Sequence, residues 1–415
     1  MQQESPMRVR TECRACGSTA LSPFFDAGDV ALANSFLRKE DLGKPEATYP
    51  LAVLFCENCS FVQLSVVVRP DILFRNYIYF SSGVRTVPEH FAKYAEEIAS
   101  RFTSSPEDLV VELGSNDGVL LGEIAKFGRR VLGVDPAENV AAAANARGVP
   151  TLPEFWSEQL ALAIKHDHGA AKVVVGNNVV AHVDDLHDLL RGVAAVLADD
   201  GVFMFEAPYL KDMFDNLTFD TIYHEHLSYL AVRPLIPLLR RFGLEIFDVQ
   251  TFPVQGNSIR VYASKRGAHP VQASVARFVA EELRAGLDKL ESYRNLEKAI
   301  FALKGRVRAI VGDAKRDGKT IAAYGAPAKG NTLLSYFGIG SDVLDYATEE
   351  LPSKVGLFTP GTHIPVVHIE TARKHPPDYY LMLAWNTKDA ILRNERNFRT
   401  AGGKFIMPVG TAEVI

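Results

Sequence analysis

From residue 108 onward, short apolar runs alternate with amphipathic segments, and this alternation constrains the fold more than any other feature of the chain. The apolar runs have the length of strands, whereas the segments between them have helical periodicity. Strands connected through helices form parallel sheets that bind ligands at the carboxyl ends of the strands. The alternation pauses in a charged helical connector at about 272–317 and restarts at 319. The sequence therefore predicts a doubly wound α/β unit followed by a second α/β unit.

Length and composition limit the kind of protein. The 415 residues are too many for one ordinary core, so two or three domains are expected. A hydrophobic fraction of 47% and a charged fraction of 23% are typical of soluble globular proteins. The net charge of −5 argues against a nucleic-acid partner, which usually requires a basic surface. No apolar run approaches the ~20 residues of a membrane span, and no signal peptide is visible, so we expect a cytoplasmic protein without a membrane partner.

All four cysteines occur in two C-x2-C pairs near the N terminus. Cys13 pairs with Cys16, and Cys56 pairs with Cys59. Four thiolates in two such pairs suit a tetrahedral, structural Zn²⁺ site, with free buried thiols or a redox pair as the alternatives. A zinc ion with four protein ligands has no open coordination position. We therefore expect it to stabilise a small N-terminal module, residues 1–70, without taking part in chemistry.

The segment "VVELGSNDGVLL" runs from a predicted strand into a predicted helix. Gly114 and Gly118 allow the backbone to approach a ligand closely at the helix N-terminus. Their spacing does not match the G-x-G-x-x-G dinucleotide fingerprint, and no P-loop lysine follows. Glu112 precedes the first glycine, and Asp135 ends the next strand, where a carboxylate can accept hydrogen bonds from ribose hydroxyls. The alternative is a purely structural strand–helix turn.

This glycine loop with its following acid resembles the nucleoside-binding core of class I S-adenosylmethionine-dependent methyltransferases. The resemblance implies S-adenosylmethionine as the cofactor, and an acidic loop also suits its sulfonium cation better than a pyrophosphate. The residues that we assign to the cofactor are Glu112, Gly114, Asn116, Gly118, Asp135 and Asn177. Phe155, in "TLPEFW", is a candidate platform for the adenine ring, with a core aromatic as the alternative.

Over nearly its full length, the chain resembles the bacterial nucleotide-sugar C-methyltransferases of antibiotic deoxysugar pathways. The matching segments are the two cysteine pairs, "YIYFSSG", "ELGSNDG", "NNVVAHVDD", "EAPYL", "IYHEHLSYL", "AAYGAPAKGNTLL", "PGTHIPV" and "LAWN". The resemblance implies a zinc-binding N-terminal module and a central class I methyltransferase domain with a Rossmann-like fold, residues 71–270. A connector helix and a second Rossmann-like domain that binds the nucleotide sugar would occupy residues 271–415. The implied reaction methylates C-3′ of a 4-keto deoxysugar nucleotide, usually dTDP-linked, through an enolate.

The same resemblance assigns catalytic roles in and around "TIYHEHLSYL". It makes His226 the base, Tyr223 the residue that contacts the enolate, and Glu225 the supporting acid. Tyr77 and His182 match two further active-site positions. Histidine suits the removal of a proton beside a carbonyl because its pKa lies near the operating pH. Tyrosine or imidazole donors can stabilise the negative charge that builds on the ketone oxygen. Bound S-adenosylmethionine would supply its own leaving group and positive charge, so no catalytic metal is expected.

Two segments keep competing interpretations. If "YHEH" is extended, His224 and His226 face the same side, which allows a metal pair, although no third ligand at a suitable spacing is visible. For His224 a structural role is the alternative. In "YGAPAKGNT", Lys329 at a predicted helix N-terminus is a candidate ligand of the substrate diphosphate, with Tyr324 as a second substrate contact. The alternative there is an ordinary strand–helix turn.

One segment departs from the family pattern. Gln255-Gly256-Asn257 stands where many relatives have "HGG", so the exact sugar is not carried over. We expect a small-molecule nucleotide-sugar substrate, and a monomer or weak homo-oligomer. Two rival functions are a nicotinamide-dependent nucleotide-sugar oxidoreductase, against which the missing dinucleotide fingerprint counts, and a non-catalytic nucleotide-sugar-binding protein.

Overall fold

The computed structural model of the chain describes residues 5–74, 80–83, 87–252 and 257–415. Its N-terminal elements are β1 (Met7–Val9), β2 (Leu21–Ala31), β3 (Thr48–Cys56), β4 (Val62–Leu64), β5 (Val66–Val68) and α1 (Pro70–Phe74). The central elements are α2 (Val87–Arg101), β6 (Leu109–Leu113), α3 (Val119–Ala125), β7 (Arg130–Val134), α4 (Glu138–Ala146), β8 (Thr151–Leu152), α5 (Glu158–His168), β9 (Ala171–Asn177), α6 (Leu186–Val196), β10 (Leu197–Pro208), α7 (Leu210–Asn216), β11 (Ser228–Tyr229), α8 (Val232–Arg240), β12 (Leu244–Phe252) and β13 (Ser258–Lys265).

The C-terminal elements complete the chain. They are α9 (Ala273–Arg284), α10 (Leu290–Arg316), β14 (Ile321–Tyr324), α11 (Ala328–Phe337), β15 (Ala347–Glu349), β16 (Val366–His368), α12 (Ile369–Ala372), β17 (Tyr379–Met382), α13 (Lys388–Asn394), α14 (Arg396–Thr400) and β18 (Lys404–Ile406). Short 3-10 helices cover Lys39–Asp41, Ser81–Gly83, Val180–His182, Phe219–Thr221 and Trp385–Thr387. None of the helices within these described ranges combines the length and the apolar character needed to cross a membrane.

The central sheet has the strand order β12-β13-β10-β9-β6-β7-β8 in the described residues. Strands β6 to β10 pair in parallel, whereas β13 pairs antiparallel with both β10 and β12. Apolar side chains fill both faces of this sheet, which is the burial expected for parallel strands covered by helices. The strand order reverses between β6 and β9. The carboxyl end of β6 is therefore the expected ligand-binding position.

The C-terminal sheet is parallel, with the order β16-β15-β14-β17-β18 among the described strands. It repeats the doubly wound topology of the central sheet on a smaller scale, as the renewed alternation predicted. The segment at 388–400 consists of two helices that are interrupted at Glu395. The connector predicted at about 272–317 also consists of two helices, α9 and α10.

The N-terminal module lies between the other two parts of the chain. Its antiparallel sheet has the order β11-β4-β3-β2, so it includes a strand that comes from residues 228–229. On its other side, Phe24 and Phe55 each contact the ring of Tyr293 in α10 at 4.8 Å between ring centroids. Side chains of this module and of the C-terminal unit therefore share one core. The predicted boundaries at residues 70 and 270 remain predictions.

Candidate active site

The glycine loop after β6 has the backbone conformation that its two glycines predict. Gly114 has φ +60°, and a Cβ atom there would lie 2.3 Å from Cγ2 of Val179. Gly118 has φ +77° and is the N-cap residue of α3. Both positions favour glycine, because other residues rarely adopt positive φ and the first site has no room for a side chain. The loop thus brings backbone to the carboxyl edge of the sheet.

Asp135 lies at that same edge, one residue after β7, and is buried. Its Oδ2 accepts the backbone N–H of Asn116 at 2.8 Å, and its Oδ1 accepts the N–H of Ala137 at 2.9 Å. Burial raises the pKa of Asp135, and these two hydrogen bonds oppose the rise. Each carboxylate oxygen has a further lone pair, so the side chain retains the capacity to accept hydroxyl groups. Its predicted contact with ribose remains a prediction.

Glu112 and Asn177 are buried on the same edge of the sheet. Within the described residues, Oε2 of Glu112 and both polar atoms of the Asn177 amide make no hydrogen bond of normal geometry. Burial raises the pKa of Glu112 well above its ordinary value, as does the neighbouring Asp135. The amide of Asn177 is close enough to oppose that rise. Buried polar atoms rarely stay unsatisfied, so this group fits a polar ligand at the edge of the sheet.

Phe155 lies in the loop after β8 with 45% of its surface exposed. The alternative of a core aromatic is therefore wrong. An exposed ring agrees with an adenine platform, and that role stays a prediction. Farther along the edge, buried Glu206 bonds Arg260 and accepts from Nε2 of His90 at 2.9 Å. Burial opposes ionisation of Glu206, but these partners outweigh it and lower its pKa.

The segment with the two histidines is a turn. A 3-10 helix, Phe219–Thr221, leads into a turn in which the N–H of His226 donates to the carbonyl of Tyr223 at 2.9 Å. The expectation of an extended segment with His224 and His226 on one side is therefore wrong. The strand starts only at Ser228, because that is where β11 pairs with β4.

The ring of His226 has a defined protonation pattern. Its Nδ1 lies 2.8 Å from the carbonyl oxygen of Thr221, which can only accept, so Nδ1 carries the proton. Nε2 then accepts the hydroxyl of Tyr223 at 2.8 Å. Burial lowers the pKa of His226 to about 4, and the charge of Lys329 contributes to the decrease. At neutral pH the imidazole is therefore uncharged, with its basic nitrogen beside a tyrosine hydroxyl.

His182 completes this cluster from another loop. Its ring lies edge-on to the ring of His226, with 4.9 Å between the centroids. Burial lowers the pKa of His182 well below its ordinary value, and the neighbouring His226 adds to the decrease. The sequence placed these two histidines in one site, and they are adjacent in the structure. Tyr77, the fifth residue that the sequence assigned to catalysis, lies outside the described residues, as do Gln255 and Gly256.

His224 has a structural environment. It is 1% exposed, and its Nε2 lies within 3.2 Å of the carbonyl oxygen of Tyr49 and within 3.3 Å of that of Pro50. Both carbonyls belong to β3 of the N-terminal module. The ring therefore ties the turn to that module. This contact explains the residue that the sequence left unassigned.

Glu225 is also held by residues from outside the central unit. Its Oε1 accepts the side-chain N–H of Asn34 at 2.6 Å. Lys354 of the C-terminal unit lies close enough for the Glu225 charge to affect its pKa. Lys354 itself is buried and donates to the carbonyl of Ala326 at 3.0 Å. Asn34 and Lys354 were not found by sequence reasoning, since neither belongs to a recognisable pattern.

Lys329 reaches this region from the start of α11. Its Nζ lies 3.8 Å from the centre of the Trp385 ring, and the Trp385 indole N–H donates to Oδ2 of Asp220 at 2.6 Å. Burial lowers the pKa of Lys329 to about 8, while Asp220 and Asp212 oppose the decrease. Tyr324 instead donates its hydroxyl to Glu395 at 2.9 Å. The two candidate substrate residues therefore have different surroundings, and only Lys329 influences His226.

The four cysteines form a tight group in the N-terminal module. Their sulfur atoms all lie within 4.8 Å of one another, and the Cys13–Cys59 and Cys16–Cys56 sulfurs are each 3.6 Å apart. Sulfurs around a tetrahedral Zn²⁺, each at about 2.3 Å, are separated by roughly 3.8 Å, so the donor set and its spacing fit zinc. The group is a zinc-binding module, as predicted.

Family models match three successive parts of the chain. Residues 13–74 match the model described as "Putative zinc binding domain", residues 87–249 match "Methyltransferase domain", and residues 253–410 match "C-methyltransferase C-terminal domain". The C-methyltransferase NovU of Streptomyces niveus is 39% identical over 410 residues, which cover 99% of this chain and 98% of NovU.

Solved structures of methyltransferases resemble less than half of the chain. CcbJ methyltransferase of Streptomyces caelestis is 14% identical, with a TM-score of 0.34, over 42% of this chain and 89% of CcbJ. Magnesium protoporphyrin IX methyltransferase of Synechocystis with bound S-adenosylmethionine is 13% identical, with a TM-score of 0.31, over 43% of this chain and 77% of that protein.

The strand order, the glycine loop and the matching methyltransferase model define a class I S-adenosylmethionine-dependent methyltransferase fold. Through its full-length similarity to NovU, the chain belongs to the C-methyltransferase family with an N-terminal zinc-binding module. It is therefore an S-adenosylmethionine-dependent C-methyltransferase. A nicotinamide-dependent oxidoreductase and a non-catalytic binding protein, the two rival functions, do not agree with this family.

Proposed function

We propose that this enzyme methylates C-3′ of a 4-keto deoxysugar nucleotide, after His226 removes the proton from that carbon. The observation that carries the proposal is the hydrogen-bonded pair of Tyr223 and His226, in which Nδ1 is engaged by Thr221 and Nε2 is left as the basic atom. A carbon acid beside a ketone needs this combination, a neutral base and an adjacent hydroxyl donor. A dTDP-linked sugar from antibiotic deoxysugar biosynthesis is the expected substrate.

The cofactor would bind along the carboxyl edge of the central sheet. Glu112 and Asn177 offer buried polar atoms there, Asp135 offers two carboxylate oxygens, and Gly114 lets the backbone approach. Bound S-adenosylmethionine supplies an activated methyl group and its own leaving group, so no metal is needed for the transfer. Phe155 would stack on the adenine ring from the exposed side of the loop.

Proton removal follows from the geometry around His226. The substrate C-3′ hydrogen would replace the Tyr223 hydroxyl at Nε2, and the freed hydroxyl would donate to the ketone oxygen at C-4′. The proton then passes to Nε2, while the electron pair of the C–H bond forms the enolate. Nδ1 keeps its proton throughout because the carbonyl of Thr221 holds it. His182, edge-on to this ring, would restrict the orientation of both the base and the sugar.

The position of Lys329 suggests that the negative charge of the substrate affects the pKa of His226. A diphosphate near its Nζ would offset the positive charge that helps to lower the pKa of His226. The base would then become stronger when the substrate is bound, because a nearby cation disfavours the imidazolium form. Asp220 and Trp385 would hold the lysine in place. The proposal therefore gives Lys329 two linked functions, to bind the anion and to adjust the base.

The N-terminal module would hold Zn²⁺ through Cys13, Cys16, Cys56 and Cys59. With four thiolate ligands the ion would have no position for substrate, so its function would be structural. The donor set and the sulfur spacing support this assignment. Metal analysis of the purified protein, with one zinc per chain expected, tests it directly.

Mass spectrometry of products tests the proposed reaction. The purified enzyme is incubated with S-adenosylmethionine and a panel of 3-amino- or 3-hydroxy-4-keto-6-deoxy sugar nucleotides, both dTDP- and GDP-linked. We expect one sugar to gain a single CH2 unit, and we expect C-3′ to exchange its hydrogen with deuterated solvent. His226→Asn should abolish both reactions and leave S-adenosylmethionine affinity unchanged. Exchange that survives in His226→Asn would refute His226 as the base, and a panel without any product would refute the substrate class.

A further inference from the structure

The two loops that carry His182 and His226 both rest on the zinc-binding module. His182 ends a 3-10 helix that is followed closely by Asp184, and His226 directly precedes Leu227 and β11. The distance between the two rings, 4.9 Å between centroids, therefore depends on whatever fixes these two loops relative to each other.

The turn between the first two cysteines holds the loop of His182. Arg14 and Ala15 form this turn, and Arg14 is only 1% exposed. Nε of Arg14 donates to Oδ1 of Asp184 at 3.0 Å. The carbonyl of Ala15 lies 3.0 Å from Nε2 of His187, which donates to it. Two hydrogen bonds thus run from the turn to the segment just after His182.

The strand after the second cysteine pair holds the loop of His226. β4 pairs with β11, and the N–H of Leu64 donates to the carbonyl of Leu227 at 3.0 Å. The carbonyl of the same Leu64 accepts Nη1 of Arg14 at 3.0 Å. The single guanidinium of Arg14 therefore contacts both a residue of the His182 loop and the residue that holds the His226 loop.

We propose that Arg14 is a positioning residue that fixes the spacing of His182 and His226 by linking Asp184 to Leu64. The inference rests on the proposed function of these histidines. Because Arg14 lies between Cys13 and Cys16, the metal-binding turns anchor the link without contacting substrate. A displacement of about 1 Å at a catalytic group can reduce the rate about 100-fold, so a link of this kind would affect turnover more than binding.

Kinetics of Arg14→Lys and Arg14→Gln test the inference, with Arg8→Gln as the matched control. Arg8 also pairs with Asp184, but its side chain is 58% exposed, so its removal should leave kcat unchanged. For the Arg14 variants we expect kcat to fall about 10- to 100-fold, while zinc content, S-adenosylmethionine affinity and KM change little. Wild-type kcat in an Arg14 variant that retains its zinc would overturn the inference.

Asp184→Asn provides a second test that stands even if the Arg14 variants do not fold. It keeps an acceptor for Arg14 but removes the charge, and we expect a smaller loss of kcat than in a folded Arg14 variant. Where Arg14→Lys folds, the loss in the double variant should not be additive. The side-chain ¹⁵N NMR signals of His182 and His226 should shift in Asp184→Asn. Unchanged signals or additive kinetic effects would contradict the link. The NMR result does not depend on the substrate, so a failure of the proposed reaction in wild-type enzyme remains distinguishable from a failure of this inference.

Discussion

Replacing Gly114 by alanine should weaken cofactor binding through a clash that can be measured from the structure. The new Cβ would lie 2.3 Å from Cγ2 of Val179, whereas ordinary van der Waals contacts begin at 3.4 Å. Either the glycine loop or the Val179 side chain must therefore move by roughly 1 Å. Overpacking of this kind costs about 1–3 kcal/mol, and the left-handed backbone adds about 1–2 kcal/mol. Together they predict a destabilisation of about 2–5 kcal/mol.

Gly128→Ala is the matched control, because Gly128 has φ +72° but nothing within 4 Å of the added Cβ. The Gly128→Ala variant should lose only the stability that the left-handed backbone costs, about 1–2 kcal/mol. Isothermal titration with S-adenosylmethionine should give at least about a 10-fold weaker Kd for Gly114→Ala, equivalent to about 1.4 kcal/mol, and a normal Kd for Gly128→Ala. Val179→Ala in the Gly114→Ala background removes the clashing atom and should restore much of the affinity. Equal affinities in the two glycine variants would refute the steric reasoning.

Three further predictions concern the tyrosine donor, the pH profile and the metal. Tyr223→Phe should lower kcat about 100- to 1000-fold, because it removes the donor for the ketone oxygen, with S-adenosylmethionine affinity unchanged in titration; retention of kcat would contradict the enolate role. The pH profile of kcat/KM should lose activity below about 4, where His226 is protonated, and above about 8, where Lys329 loses its charge. In Lys329→Met the alkaline decrease should disappear and the acid limb should move to higher pH, since the cation that lowers the His226 pKa is gone; an unchanged profile would exclude Lys329 from the site. Removal of zinc with a chelator should lower the thermal midpoint in scanning fluorimetry, and added Zn²⁺ should restore it, whereas an unchanged midpoint would argue against a structural metal.

The features that were predictable from the sequence are those fixed by short-range patterns. Within each C-x2-C pair, the two cysteines are only three residues apart in the chain. The glycine loop depends only on the local backbone conformations of Gly114 and Gly118. The strand–helix alternation likewise follows from local periodicity. Even the sheet order is constrained, because parallel strands joined by right-handed crossovers allow few topologies.

The environment of each side chain in the active-site turn was not predictable in this way. Asn34 and Glu225 are 191 residues apart, and Asp220 and Trp385 are 165 residues apart. For an extended segment, we expected His224 and His226 to face the same side. The segment turns because β11 pairs with β4 of the N-terminal module. That pairing joins residues far apart in the chain, so local sequence does not reveal it. The family resemblance therefore proposed which residues of the turn take part, but the local pattern could not predict what each one contacts.

The turn at 219–226 obtains its conformation from all three parts of the chain. His224 is bonded to β3 of the N-terminal module, Glu225 to Asn34 of the same module, and Asp220 to Trp385 of the C-terminal unit. The residues proposed to bind the cofactor, in contrast, belong to the central unit alone. A base on such a turn is preorganised by rigid elements on both sides, which is the arrangement that accurate proton removal requires. Under the proposed function, the central sheet would bind the methyl donor, and the two flanking units would hold His226 at the position where it meets the substrate.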